Sequence, residues 1–232
     1  MTAKKVAILQ SNYIPWKGYF DLIHLVDEFI LYDEMQYTKN DWRNRNKIKT
    51  PNGLHWLSIP VKQASLQQRI CDTPVATSDW NIKHIKTIQQ FYRKAACYKE
   101  MNPVIEELYL SCNYQLLSEI NFHFIRAINE LLGINTKISW SHEYGLAEGK
   151  TERLVDLVQK AGGTEYISGP AAKDYIQEDL FTAANIQLTW MSYAGYPEYE
   201  QVHPPFEHGV SILDLIFNTG KDATKFMKTF SK

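Results

Sequence analysis

The chain has 232 residues, room for one large domain or a domain with a substantial insertion. Its 44% hydrophobic and 22% charged residues are close to ordinary globular usage, so disorder is not expected. With 25 basic and 26 acidic residues the net charge is −1, which lacks the basic excess of a dedicated nucleic-acid binder. Apolar runs fall well short of the roughly 18–20 residues that span a bilayer. Three cysteines without close spacing, Cys71, Cys97 and Cys112, offer neither a disulfide framework nor a zinc site.

Met1-Thr2-Ala3-Lys4-Lys5 leads directly into an apolar run with no small-residue cleavage site, so a cytoplasmic location is expected. Lys5–Leu9 reads as a strand buried on both faces, because its apolar residues are nearly continuous. Polar residues 10–14 then end at Pro15, a turn signal. Over residues 17–26, Tyr19, Phe20, Leu22, Ile23 and Val26 form a helical stripe, and residues 28–32 form a second strand. Together these make a right-handed βαβ unit. Residues 33–51 are polar, basic and aromatic around Trp42-Arg43-Asn44-Arg45-Asn46. Residues 54–61 look like a strand, an arm of a hairpin turning at Pro51-Asn52-Gly53.

Long helical patterns at 81–97 and 116–132 flank a shorter one at 104–110, just after Asn102-Pro103. The last third returns to alternation. A strand at Lys137–Trp140 precedes a helix at 151–161 that stops at Gly162-Gly163. A strand at 165–167, the loop Ser168-Gly169-Pro170, a short helix at 171–175 and a strand at 186–190 follow. The last helix runs from Ser211 to Asn218-Thr219-Gly220. The expected architecture is a single α/β domain over residues 1–232, with a mostly parallel Rossmann-like sheet, helices on both faces and a helical insertion at about 80–133.

Open parallel sheets bind ligands beyond the carboxyl ends of their strands, where the strand order switches. A central first strand places Gln10, Asn12, Tyr13, Lys17 and Gly18 at that rim, beside a helix start whose N–H groups favour an anion. Neither a Walker A pattern nor GxGxxG is present, so a standard phosphate loop is not indicated. The loop after the second strand brings Asp33, Glu34, Gln36, Tyr37, Lys39, Trp42, Arg43, Asn44 and Arg45 towards the same rim. There a carboxylate can act as a base or hold a hydroxyl, two arginines can clamp a phosphate, and Trp42 can stack on a ring. A solvated charged loop is the competing reading.

Gly169 lies in a third loop between strand and helix. Tyr199, Gln201, His203 and His208 form a polar stretch before the last helix. Either histidine suits a general base, and their spacing does not match a paired metal site. No G-x-S-x-G elbow and no Cys/His signature points to nucleophilic catalysis. Aromatic residues reach 13%, several of them beside turns, where they form stacking walls or plug a core.

Several strings carry a resemblance. They are Val6-Ala7-Ile8-Leu9-Gln10, Pro15, Gly18-Tyr19-Phe20-Asp21-Leu22-Ile23, Tyr32-Asp33-Glu34-Met35-Gln36-Tyr37, Trp42-Arg43-Asn44-Arg45-Asn46, Tyr166 to Tyr175 and Ser211 to Gly220. In order, and over almost the whole chain, they resemble the WbqC-like family. Members of that family are associated with bacterial surface-polysaccharide (O-antigen, lipopolysaccharide) gene clusters. The resemblance implies a transferase that moves an acyl or aminoacyl group onto the amine of a nucleotide-linked amino sugar.

On that reading the loop over residues 10–18, with Lys17, Arg43 and Arg45, holds the diphosphate, and Trp42 or Tyr37 stacks on sugar or base. Asp33 or His203 takes the proton from the amine. Asn12, Tyr13, Gln36, Asn44, Gly169, Tyr199 and Gln201 complete the substrate contacts, with no metal ligand. The implied partners are a nucleotide-linked sugar and a small acyl or aminoacyl donor, with no DNA and no membrane span, and with a homodimer left open.

A more distant similarity is to adenylate-forming nucleotidyl-transferase-like folds. It implies an ATP-dependent ligase using ATP and Mg to activate a small acid. The His-x-Gly-His pattern of those folds is replaced here by Trp16-Lys17-Gly18-Tyr19, which weighs against that chemistry. A non-catalytic binding component of the polysaccharide machinery is the third reading.

Overall fold

The structure, a computed structural model, describes residues 3–230. Met1 and Thr2, the start of the stretch expected to carry no leader, lie outside the described residues. The first unit is β1 (Lys5–Leu9), α1 (Lys17–His24) and β2 (Glu28–Leu31), with β1 and β2 parallel from Val6 opposite Glu28 to Leu9 opposite Leu31. The chain then leaves the sheet for a hairpin, β3 (Arg45–Thr50) and β4 (Gly53–Ser58). Three helices follow, α2 (Trp80–Tyr92), α3 (Tyr98–Leu110) and α4 (Leu117–Leu132). It returns as β5 (Lys137–Trp140) beside β2. The remaining elements are α5 (Thr151–Lys160), β6 (Glu165–Ser168), α6 (Glu178–Ala183), β7 (Gln187–Trp190) and α7 (Ile212–Thr219).

The sheet order is β5-β2-β1-β6-β7 and every pairing is parallel. The fold is therefore α/β and Rossmann-like, with helices on both faces. The two-residue period of a strand sends Ala7, Phe29, Leu31 and Ile167 to one face. Val6, Ile8, Ile30 and Tyr166 go to the other. On the first face pack Phe20 of α1, Ile88 of α2, Ile105 of α3, Phe124 of α4 and Leu215 of α7. Leu157 of α5 and Phe181 of α6 cover the second. Burial on both faces explains why these strands read as nearly continuous apolar runs. Sheet growth reverses at β1, so the connections on either side of the β1/β6 pair depart towards opposite faces and leave a crevice at their carboxyl ends.

Several local expectations change: the strand expected at 54–61 ends at Ser58, and a helix not anticipated, α6, stands before β7. Residues 45–50, read as polar loop, form β3. Ile48 is its single apolar residue, so no apolar alternation marked it. Pairing with β4, and the reach of Asn46 to the carbonyls of Tyr13 and Ile14, hold it in strand form. The middle helices also shift, since α2 stops at Tyr92 and α3 starts at Tyr98 with Pro103 inside it. Pro103 stands in the second turn of α3, where it gives up the hydrogen bond to the Lys99 carbonyl, and the helix continues through it.

Candidate functional site

Beyond β1, residues 10–16 form a loop pinned from several sides before α1 begins. Asp33, just past β2, accepts the Ser11 N–H (2.7 Å), the Ser11 hydroxyl (2.6 Å) and the Ser118 hydroxyl of α4. One turn further along α4, Asn121 donates to Ser11 Oγ (3.0 Å) and to the Arg43 carbonyl (2.9 Å). The Tyr13 N–H donates to the Trp42 carbonyl (3.0 Å). Asn46 Nδ2 donates to the carbonyls of Tyr13 (3.1 Å) and Ile14 (3.0 Å). Ile14 is thereby held at φ +36°, a conformation that a β-branched residue keeps only where its surroundings over-determine it. Gly18 is needed for a different reason. A Cβ there would lie 2.3 Å from Trp16 Cζ2, so only glycine lets the indole rest on the first turn of α1.

A cavity of about 620 Å3 opens where the carboxyl ends of β2, β1 and β6 meet. Gln10, Asn12 and Arg43 line one side, Ser168 and Gly169 another, and Tyr32, Tyr166 and Tyr175 add aromatic wall. Its charged lining residues are Arg43, Lys150 and Arg153, and no Asp or Glu among the described residues lines it. Arg43 donates through Nη1 to Asn12 Oδ1 and through Nη2 to Gln10 Oε1 (3.1 Å), and its ion-pair contact is Asp41 at 3.8 Å. Arg153 donates to the Ala147 carbonyl (2.6 Å) and reaches the Tyr32 hydroxyl at 3.4 Å. Gly149, in the left-handed region at φ +89°, and Lys150 bring the start of α5 to the same cavity. Glu152, in the first turn of α5, lays its carboxylate against Gly149, so the acidic side chain offsets the positive potential of the helix start.

A second cavity of about 540 Å3 adjoins the first and shares Asn12, Trp42 and Tyr193 with it. Rings dominate its wall, with Trp16 5.2 Å from Tyr193 and 5.5 Å from Tyr196 between centroids. His208 is the one Lys, Arg, His, Asp or Glu among the described residues that lines it. Burial, and next the positive charge of Lys17, hold the His208 pKa below its ordinary value, so the ring is neutral at pH 7. Its Nδ1 is buried without a hydrogen-bond partner.

Of the residues singled out in the sequence, Gln10, Asn12, Trp42, Arg43 and Gly169 are brought together around the first cavity. The others lie elsewhere, for identifiable reasons. Asp33 is 1% exposed with its oxygens occupied by the loop and α4, and burial raises its pKa. Lys17 is 3% exposed, with Nζ on the Pro197 carbonyl (2.9 Å) among the rings of Tyr196, Tyr199 and Phe206. Burial pulls its pKa down to about 8. The Tyr13 hydroxyl is buried between His84 Nδ1 (2.8 Å) and the Tyr109 hydroxyl (2.6 Å). Tyr37 sits in the core, and the exposed Gln36 bonds the Leu66 carbonyl. Asn44 holds the Ile59 carbonyl (2.8 Å), while Arg45 lies over Trp56 (4.1 Å) and bonds Asn40.

Tyr199 and Gln201 both donate to Asp214 Oδ1, at 2.8 and 2.9 Å, and Tyr92 donates to Oδ2 (2.8 Å) in a buried knot. His203 bonds the Phe91 carbonyl (2.8 Å) and lines neither cavity. Lys150 and Arg153 were not singled out from the sequence, although their place at the helix start after β5 is the signal that could have found them. Nothing local marked Tyr193 or Tyr196. No group of three or more His, Cys, Asp or Glu among the described residues is placed to hold a metal ion. None of the described helices is long and apolar enough to cross a membrane.

The family model described as the WbqC-like protein family matches residues 10–226. The chain belongs to that family. The match spans the pinned loop, Arg43, the start of α5 and His208, so both cavities of this WbqC-like chain fall largely inside it. A relative from Mycobacterium tuberculosis (strain ATCC 25618 / H37Rv), "Uncharacterized protein Rv1507c", is 48% identical over 226 residues. The alignment covers 97% of this chain and 98% of the relative. No solved structure matches.

Proposed function

We propose that this WbqC-like protein is a transferase that carries an acyl or aminoacyl group from an activated donor to the amine of a nucleotide-linked sugar. The nucleotide lies in the crevice beyond β1 and β6. The observation that carries the reading is the crevice itself: it stands at the topological switch point, its charged lining is entirely basic, and its walls are aromatic. A diphosphate is a good match for Arg43, Lys150 and Arg153, because charge-assisted bonds from guanidinium groups are strong and directional. Gln10 and Asn12 hold Arg43 through neutral amides, and its ion-pair contact with Asp41 is a long one at 3.8 Å. Tyr32 and Tyr175 offer ring faces to the base. The association of the family with surface-polysaccharide gene clusters supports a sugar nucleotide as the occupant.

In the transfer step the neutral amine nitrogen attacks the carbonyl carbon of a thioester or ester donor. The C–N bond forms, the bond to the thiol or alcohol breaks, and the proton on nitrogen passes to a base. Asp33 is spent on three donors and His203 lines neither cavity, which leaves the neutral imidazole of His208 as the group placed to accept the proton. Titration calorimetry with UDP- and dTDP-linked amino sugars tests the reading. Wild type is expected to bind, and Arg43→Ala to bind about thirty-fold more weakly, or about 2 kcal/mol. An unaltered affinity in Arg43→Ala defeats the clamp. Binding of ATP without binding of either sugar nucleotide moves the crevice to ATP-dependent activation of a small acid.

A further inference from the structure

We infer that the two adjoining cavities form one bipartite site, in which the first takes the nucleoside diphosphate and the second takes the sugar and is the chamber where transfer occurs. The inference rests on the nucleotide reading of the crevice and assigns an occupant to the neighbouring cavity, to which that reading gives a base but no part of the substrate.

Three observations carry it. The cavities adjoin, because Asn12, Trp42 and Tyr193 belong to the walls of both. Volumes of about 620 and 540 Å3 are each of ligand-site size, so a nucleotide confined to the first leaves the second vacant. Their chemistry also divides at the shared wall. The first carries three basic side chains, while the second is lined by rings with no charged residue facing a phosphate.

The order of groups in a nucleotide sugar matches that division. Arg43 is tied to Asn12 at the junction, which sets the diphosphate there. The nucleoside then extends towards Tyr32 and Tyr175, and the sugar passes Asn12 and Trp42 into the second cavity. Sugar rings present C–H faces that pack on aromatic faces, and Trp16, Tyr193 and Tyr196 supply them. One wall of the chamber is fixed by the loop before α1. Gly18 seats Trp16 on α1, and Pro15 follows the pinned, left-handed Ile14. His208 stands in this wall, so the sugar amine arrives beside the base.

The test uses Ala194, an exposed residue lining the second cavity and not the first. Ala194→Trp fills the chamber from its rim. Calorimetry with UDP and UDP-glucosamine is run on the wild-type chain and the variant, alongside thermal melting to confirm folding. Wild type is expected to bind UDP-glucosamine more tightly than UDP. Ala194→Trp is expected to weaken UDP-glucosamine about ten-fold and UDP less than about two-fold. Saturation-transfer NMR on wild type, irradiating aromatic protons, is expected to give sugar-ring signals as strong as those of the uracil. Equal losses for both ligands, no loss for either, or weak sugar-ring signals would overturn the bipartite site while leaving the nucleotide crevice standing. Failure of UDP and UDP-glucosamine alike to bind wild type would overturn both.

Discussion

The two edges of the five-stranded sheet handle charge in opposite ways. At the amino edge Glu28 is fully buried, accepts Lys4 Nζ (2.8 Å) and Ser139 Oγ (2.6 Å), bonds the Tyr144 hydroxyl and pairs with Lys137 at 3.0 Å. Burial raises its pKa, but the donors outweigh burial and bring the carboxyl down to about 2. At the carboxyl edge, Arg153 bonds only neutral oxygens, Arg43 comes no closer than 3.8 Å to its carboxylate, and Lys150 is exposed at the cavity rim. Charges that neutralise one another hold strands together, and charges left without close partners keep their interaction capacity for a ligand. The carboxyl edge contains both kinds, because Asp33 is as fully occupied as Glu28 and serves to fix the loop that carries Gln10 and Asn12.

The most severe way to break this comparison is to remove that fixed part. Asp33→Ala leaves the Ser11 and Ser118 donors without their acceptor in a dry site and is expected to cost about 3 kcal/mol of unfolding free energy. Urea denaturation measures it, and an unchanged midpoint would show that the loop does not depend on the knot. Glu28→Gln probes the other edge, with an expected loss at pH 7 of roughly 1–2 kcal/mol once solvent screening of the two lysines is allowed for.

The sign of its pH dependence follows from the depressed pKa. The Glu28 carboxyl moves from an ordinary 4.5 to about 2, so its contribution is present above about pH 4.5 and is lost as pH falls through about 2. The deficit of Glu28→Gln relative to wild type is therefore expected to shrink across that window. A constant deficit would mean that packing, not charge, sets its value. The smallest effect belongs to Lys150→Ala, which is expected to melt like wild type and to lose about five-fold in nucleotide affinity, with a shallower dependence on salt. A lowered melting temperature would place Lys150 among the structural charges instead.

The opening βαβ unit was legible because Val6 to Leu9 and Phe29 to Leu31 are apolar on both strand faces, and Gln10, Asn12, Trp42, Arg43 and Gly169 were legible because they follow strands. β3 was hidden by its polar composition, and Arg153 by its arrival from a distant crossover helix. The polar stretch before α7 shows the limit most clearly. Tyr199, Gln201, His203 and His208 look alike in the chain, yet the first two are bound to Asp214, the third to a helix carbonyl, and only the last lines the cavity next to the crevice.

What the chain by itself determined is the alternation of apolar strands and amphipathic helices, hence a parallel sheet and the loops that gather at its carboxyl edge. Which polar groups at that edge are spent, and which remain open, was decided only by tertiary structure. Hydrogen-bond saturation depends on partners far away in the chain: Ser118 lies 85 residues from Asp33, and Tyr32 lies 121 residues from Arg153. No local pattern encodes such distances.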